Sequence, residues 1–238
     1  MYLFSLSNER NINSNVQSSS SLEMLLIKRW NLFNIRNGGN VFNVYKSLGL
    51  QDVYLFQECD DVNRVKNGLG FGNMQTKQFG HGLAIAWNAG RFTKLSDGMV
   101  WVGRDKEVNP NWSPDRFVTW VRLQERSTRK TILVANHHGP LHIDTGGLHG
   151  PEDVASRIDR AISNGRRNGE VVILAGDMNV HANGRTLQSL ARRGYTRRAG
   201  DWVDHIFTKS GLGSTPQVQI IRDTGSDHRG VKARWSSF

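Results

Sequence analysis

Five consecutive apolar residues, Val171-Val172-Ile173-Leu174-Ala175, constrain the fold of this chain more than any other stretch. A strand with one face in water alternates polar with apolar residues, whereas a strand with no polar position must be covered on both faces. The chain therefore folds around at least one inner strand of a layered structure. The residues that follow, Gly176-Asp177-Met178-Asn179, are placed at that strand's end.

Short apolar or alternating runs predict further strands at Leu25 to Phe33, Val53 to Phe56, Gly82 to Trp87, Phe117 to Leu123 and Thr131 to Asn136. Others are expected around Trp202 to Phe207, Val218 to Ile221 and Gly230 to Trp235. Val41, Val44, Tyr45 and Leu48 recur at helical spacing. Gly150-Pro151-Glu152-Asp153 reads as a helix start, with proline early and acids in the first turn; Val154, Ile158, Ala161 and Ile162 supply its apolar face. A further helix is expected from Thr186 to Arg193. A β-rich middle flanked by helices, with hairpins mixed among crossovers, predicts two sheets packed face to face with helices outside.

A chain of 238 residues with no internal repeat suits one catalytic domain of this kind. Residues 1–23, rich in Ser and Asn and without a period, are expected to be a disordered or non-domain extension, leaving residues 24–238 as the domain. No segment approaches the ~20 apolar residues that cross a bilayer, so membrane insertion is not expected. No basic start and small-residue cleavage site mark a secretory signal, and Cys59 is a lone cysteine, which suits a reducing compartment; the expectation is a cytoplasmic monomer. One cysteine also excludes an intramolecular disulfide and a multi-cysteine zinc site. The net charge of +10 makes polyanions plausible partners, although a solvated basic face would give the same balance.

Chemistry-bearing residues recur just beyond the apolar runs. Glu58 follows Val53 to Phe56, His138 follows Ile132 to Ala135, Asp177 and Asn179 follow the five-residue run, and Asp227-His228 follow Val218 to Ile221. Strand ends hold side chains on one rim of a rigid sheet, where a site can converge. Glu58 and Asp177, with Asn31 and Asn179 beside them, are hard oxygen donors that suit Mg²⁺ or Mn²⁺ better than zinc. An Asp-His pair adds a general base, because a carboxylate can orient an imidazole and stabilise its charged form. His142, His149 and His181, together with His137 and His138, raise a zinc alternative that their irregular spacing and the absence of cysteine ligands disfavour. Trp101, Trp112 and Trp120 are expected in the core.

Taken together and in order, these motifs resemble the deoxyribonuclease I-like endonuclease/exonuclease/phosphatase superfamily over residues 25–235. Trp30-Asn31-Leu32-Phe33 resembles its opening strand, Gln57-Glu58 its metal-binding pair, and Asn136-His137-His138 its Asn-x-His. Leu174 to Asn179 is similar to its Gly-Asp-x-Asn, Val203 to Phe207 to its Asp-x-Ile strand, and Gly225 to His228 to its terminal Ser-Asp-His. Asn34 remains an alternative to Asn31, and His137 to His138.

The resemblance implies an α+β fold, a four-layer α/β/β/α sandwich of two mixed sheets flanked by helices. It implies metal ligation by Glu58, with Asn31 and Asp227 in or near the metal shell, and placement of the attacking water by Asp177 and Asn179. His228, oriented by Asp227, would be general base or charged stabiliser, and His138, held by Asp204, would donate to the phosphoryl oxygens. Arg116 would grip a phosphate, and Asn136 would accompany it in binding substrate. The implied activity is Mg²⁺- or Mn²⁺-dependent phosphodiester hydrolysis, with nucleic acid favoured by the charge. A phosphatase or phospholipase acting on inositol phosphate or lipid headgroups, and a non-catalytic nucleic-acid-binding protein, are the alternatives.

Overall fold

The computed structural model describes residues 21–27, 39–108, 113–212, 214–222 and 226–237. In chain order its elements are β1 (Leu22–Ile27), α1 (Gly39–Ser47), β2 (Val53–Phe56), α2 (Val62–Leu69), β3 (Met74–Gly80), β4 (Leu83–Asn88), β5 (Phe92–Arg104), β6 (Asp115–Glu125), β7 (Thr131–His138), α3 (Pro151–Gly165), β8 (Val171–Asp177), α4 (Arg185–Arg192), β9 (Thr196–Asp201), β10 (Asp204–Lys209), β11 (Gln217–Ile221) and β12 (Gly230–Trp235).

The strands form two six-stranded sheets, ordered β11-β12-β1-β2-β4-β3 and β5-β6-β7-β8-β10-β9. The apolar run becomes β8, an inner strand between β7, which it meets in parallel, and β10, which it meets antiparallel. Ile173 and Ala175 face the inter-sheet core with Ile132, Val134, Val53, Leu55 and Ile206. Val172 and Leu174 point the other way, into a second core with Leu133, Val154 and Ile158 of α3, and Leu187 and Leu190 of α4. A third core joins the outer face of the first sheet, through Tyr54 and Phe56, to Tyr45 of α1 and to Val62, Val65 and Leu69 of α2. The layers therefore run α/β/β/α, as expected.

Local chemistry explains the helix boundaries. Asp61 caps α2 by accepting the N–H groups of Asn63 and Arg64, and Gly70, at φ +70°, ends it. Pro151 opens α3 with Glu152 and Asp153 in its first turn, where acids meet the positive end of the helix dipole.

Four elements lie outside the regions expected from sequence: α2, β3, β5 and β9. All three of those strands are sheet edges, covered on fewer sides and so free to carry polar residues. The first strand begins at Leu22 and its assigned part ends at Ile27, with residues 28–38 outside the described residues. Trp202 and Val203 form a turn before β10 instead of continuing it.

Candidate active site

Strand alternation builds the site. On β7, Ile132, Val134, Asn136 and His138 share the face turned to the other sheet; on β8 so do Ile173, Ala175 and Asp177, and on β10 Asp204 and Ile206. Register then brings His138 opposite Asp177 across the parallel pair, and Asp204 opposite Asp177 across the antiparallel one. The apolar inter-sheet layer thus ends in three polar side chains on adjacent strands. His228, just before β12 in the other sheet, completes the group: its Nδ1 lies 2.6 Å from Asp204 Oδ2. Ligand atoms of Asp177, Asp204 and His228 all lie within 4.8 Å of one another, and all three residues are buried.

Two expected pairings are corrected by this geometry. Asp204 holds His228 and not His138, and it takes the orienting role expected of Asp227, which is exposed with Oδ1 3.4 Å from Ser226 Oγ. His138 instead lies between Asp177, with Nε2 3.5 Å from Oδ2, and Arg116, with Nδ1 3.3 Å from Nη1. A guanidinium only donates, so His138 Nδ1 accepts, and Nε2 carries the proton on the side of Asp177. In His228 the order is reversed: Nδ1–H donates to Asp204, and Nε2 is directed away from it.

Two further assignments change because the side chains are engaged elsewhere. The Nε and Nη2 atoms of Arg116 donate to both carboxylate oxygens of Asp105, at 2.8 and 2.5 Å, so the fork expected to grip a phosphate grips a buried aspartate. Asp105 also accepts the Leu141 N–H at 2.8 Å, and no motif marked it in the sequence. Asn136, expected to bind substrate, is fully buried: its Oδ1 accepts from Gln57 Nε2 at 2.5 Å, and its Nδ2 donates to the carbonyls of Phe56 and Ala84 at 2.8 and 3.1 Å. It is a polar link between the sheets. That link sets Glu58, one residue beyond Gln57, at the same end of the sandwich as His138, two residues beyond Asn136.

Asn179 is held beside Asp177. Its N–H donates to Asp177 Oδ1 at 2.7 Å, its Nδ2 donates to the Gly139 carbonyl at 2.7 Å, and its φ of +49° suits asparagine better than most residues. The two chain segments meet so closely that a Cβ on Gly139 would lie 2.0 Å from the Met178 carbonyl oxygen. Asn31, and its alternative Asn34, lie outside the described residues, as does Trp112.

The remaining histidines separate from this group. His137 points to the outer face and donates Nδ1–H to the Phe117 carbonyl at 2.8 Å; burial pushes its pKa down to about 4. His205 donates to the Val180 carbonyl at 2.7 Å, and burial again holds it near 4. His142, His149 and His181 each face a different acid, Glu107, Asp153 and Asp144, so they do not converge on one zinc site. Trp120 packs partly buried against the helix-side core, while Trp101 donates to Asp115 with Arg157 over its ring. The aromatic beside the site is Trp202, half-exposed, its ring 4.7 Å from that of His228.

The family model described as "Endonuclease/Exonuclease/phosphatase family" matches residues 13–228, and the chain belongs to this family. Its members are hydrolases acting on phosphoester bonds, generally dependent on divalent metals. No curated protein sequence matches the chain. Among solved structures, an endonuclease/exonuclease/phosphatase family protein of Bacteroides thetaiotaomicron is similar, at 16% identity and TM-score 0.68, over 91% of this chain and 95% of that one. A mannosyl-6-phosphatase of the same organism shares 18% identity at TM-score 0.66, over 89% and 98%. TDP2 of D. rerio, complexed with a single-strand DNA product, shares 14% at TM-score 0.65, over 91% and 99%. At these identities the likeness is one of fold.

Proposed function

We propose that this protein is a divalent-metal-dependent phosphodiesterase that hydrolyses nucleic acid by in-line attack of water on phosphorus. The observation that carries the reading is the buried Asp204–His228 pair facing Asp177 across the β8–β10 ladder. Two carboxylates opposed at 0% and 2% exposure need compensating positive charge, which fits a hard divalent cation, Mg²⁺ or Mn²⁺. Glu58, Asn31 and Asp227 remain the ligands proposed from the family motifs, and the buried carboxylates of Asp177 and Asp204 lie close enough together to share a cation's field. A bound cation would neutralise the phosphate and polarise it for attack.

The chain's own residues then divide the work. Asp177 and Asn179 place the water, and His228, its charged form stabilised by Asp204, takes the water's proton. His138, set by Arg116, donates toward the phosphoryl oxygens as charge develops on them. Nucleic acid is favoured over smaller phosphoesters by the +10 net charge and by the exposed Arg197 and Arg229 on and beside the β9–β10 hairpin.

The test is hydrolysis of DNA, RNA and a panel of phosphomonoesters, including inositol and sugar phosphates, in Mg²⁺, Mn²⁺ or EDTA. Cleavage of a nucleic acid that stops in EDTA is expected. Asp177→Asn and His228→Ala should each lower turnover by roughly 100-fold or more while the melting temperature holds. Full turnover in EDTA, or near-normal rates in both variants, would refute the assignment.

A further inference from the structure

Trp202 breaks two local rules at once. It occupies the first position of the two-residue turn between Asp201 and Asp204, which pair across the β9–β10 hairpin, at φ +50°. Glycine is the ordinary residue where such a turn needs positive φ, because a bulky side chain is strained there. The indole is also 50% exposed, leaving a large apolar ring in water. Neither choice favours stability, and departures of this kind gather at functional positions.

The surroundings hold that ring against the catalytic group. The Val203 carbonyl accepts the Met178 N–H at 2.9 Å, Asp201 pairs with Arg229 Nε at 2.7 Å, and Asp204 holds His228. Each contact joins the hairpin tip to a segment carrying site residues. The indole lies 4.7 Å from the His228 ring, inclined by 47°, so it is fixed beside the proposed base with half its surface open.

We infer that Trp202 is a substrate-stacking residue that takes the flat face of an unpaired nucleobase next to the scissile phosphate, so that the site selects single-stranded nucleic acid over duplex. An aromatic ring stacks on any base, but only on one whose face is not covered by its neighbours in a helix. Sugar phosphates and lipid headgroups offer no such face. The inference rests on the nuclease reading above and names the form of its substrate.

The experiment compares wild type with Trp202→Gly and Trp202→Phe on three substrates: a single-stranded oligonucleotide, its duplex, and an oligomer of abasic phosphodiester units. Glycine relieves the strained turn, so Trp202→Gly should melt no lower than wild type. On the single strand it should lose roughly 5- to 150-fold in kcat/KM, mostly through KM. Trp202→Phe should recover most of that loss, and the abasic oligomer should be cut equally by wild type and Trp202→Gly. Wild-type preference for duplex, or equal rates for Trp202→Gly and wild type on the single strand, would overturn the inference. So would an equal fall in kcat on base-bearing and abasic substrates with a shifted pH profile, which would make the indole a support for His228. Failure of the wild type to cut any oligomer while it hydrolyses a phosphomonoester would remove the nuclease reading, and this inference with it.

Discussion

Glu58, Asn179 and Trp202 hold φ of 53°, 49° and 50° although none is glycine; Asn179 donates its N–H to Asp177, and the Trp202 ring lies 4.7 Å from that of His228. Glu58 is pinned by Gly82, where a Cβ would come within 2.9 Å of the Glu58 Cα, and Asp144 donates its N–H to the Asn179 carbonyl. Such conformations persist only where surrounding contacts over-determine them. The motifs revealed which residues belong to the rim, because each follows an apolar run. They did not reveal who holds whom: the Asp204–His228 contact joins the start of β10 in one sheet to the residue two before β12 in the other, so it depends on how the sheets pack, which sequence order does not encode. The corrected pairing carries its own prediction. Asp204→Asn keeps a hydrogen-bond acceptor for His228 but removes the charge that stabilises its protonated ring, so kcat should fall roughly 100- to 10,000-fold with little change in melting temperature. Steady-state hydrolysis of the preferred substrate beside a thermal melt checks this.

The link from Gln57 to Asn136 fastens the end of β2 to that of β7 through the inter-sheet layer. Removing the Asn136 amide strands the Phe56 and Ala84 carbonyls and the Gln57 amide in a buried place. Asn136→Ala should therefore lower unfolding free energy by about 2–5 kcal/mol, measured by urea titration. Inner strands and three of the four helices were legible in the sequence because burial imposes a period or an unbroken apolar run on them; α2, eight residues with three buried apolar positions, was too short to show its period. Edges were not legible. β3 reads Met-Gln-Thr-Lys-Gln-Phe-Gly and β9 reads Thr-Arg-Arg-Ala-Gly-Asp, patterns that water at an edge tolerates and that sequence periodicity cannot separate from loops. Asp105 was missed for a related reason: it follows Gly103-Arg104 in a polar stretch, and only the buried partner Arg116 gives it meaning.

Across the whole molecule, two buried neutral imidazoles couple folding to pH. His137 and His205 resist protonation until about pH 4, whereas an unfolded histidine titrates near 6.5. Both contributions are fully present above pH 6.5. Below it the unfolded chain takes up protons that the folded chain does not, so stability falls as pH drops from 6.5 toward 4, with about two protons bound on unfolding near pH 5. Chemical denaturation at a series of pH values should show that slope; a flat profile across the window would contradict the assigned neutral state.

The sheet orders have a consequence for how the molecule comes into being. All strands of the second sheet come from one unbroken stretch, residues 92–209, while the first sheet joins β1 and β2 to β11 and β12 from the far end of the sequence. A chain leaving the ribosome can assemble the sheet carrying His138, Asp177 and Asp204 while β1 still lacks its antiparallel partner, because Leu22 pairs with Trp235. His228 arrives with that late partner. The contact between Asp204 and His228 thus ties the last-made part of the chain to a sheet whose strands were all made before it.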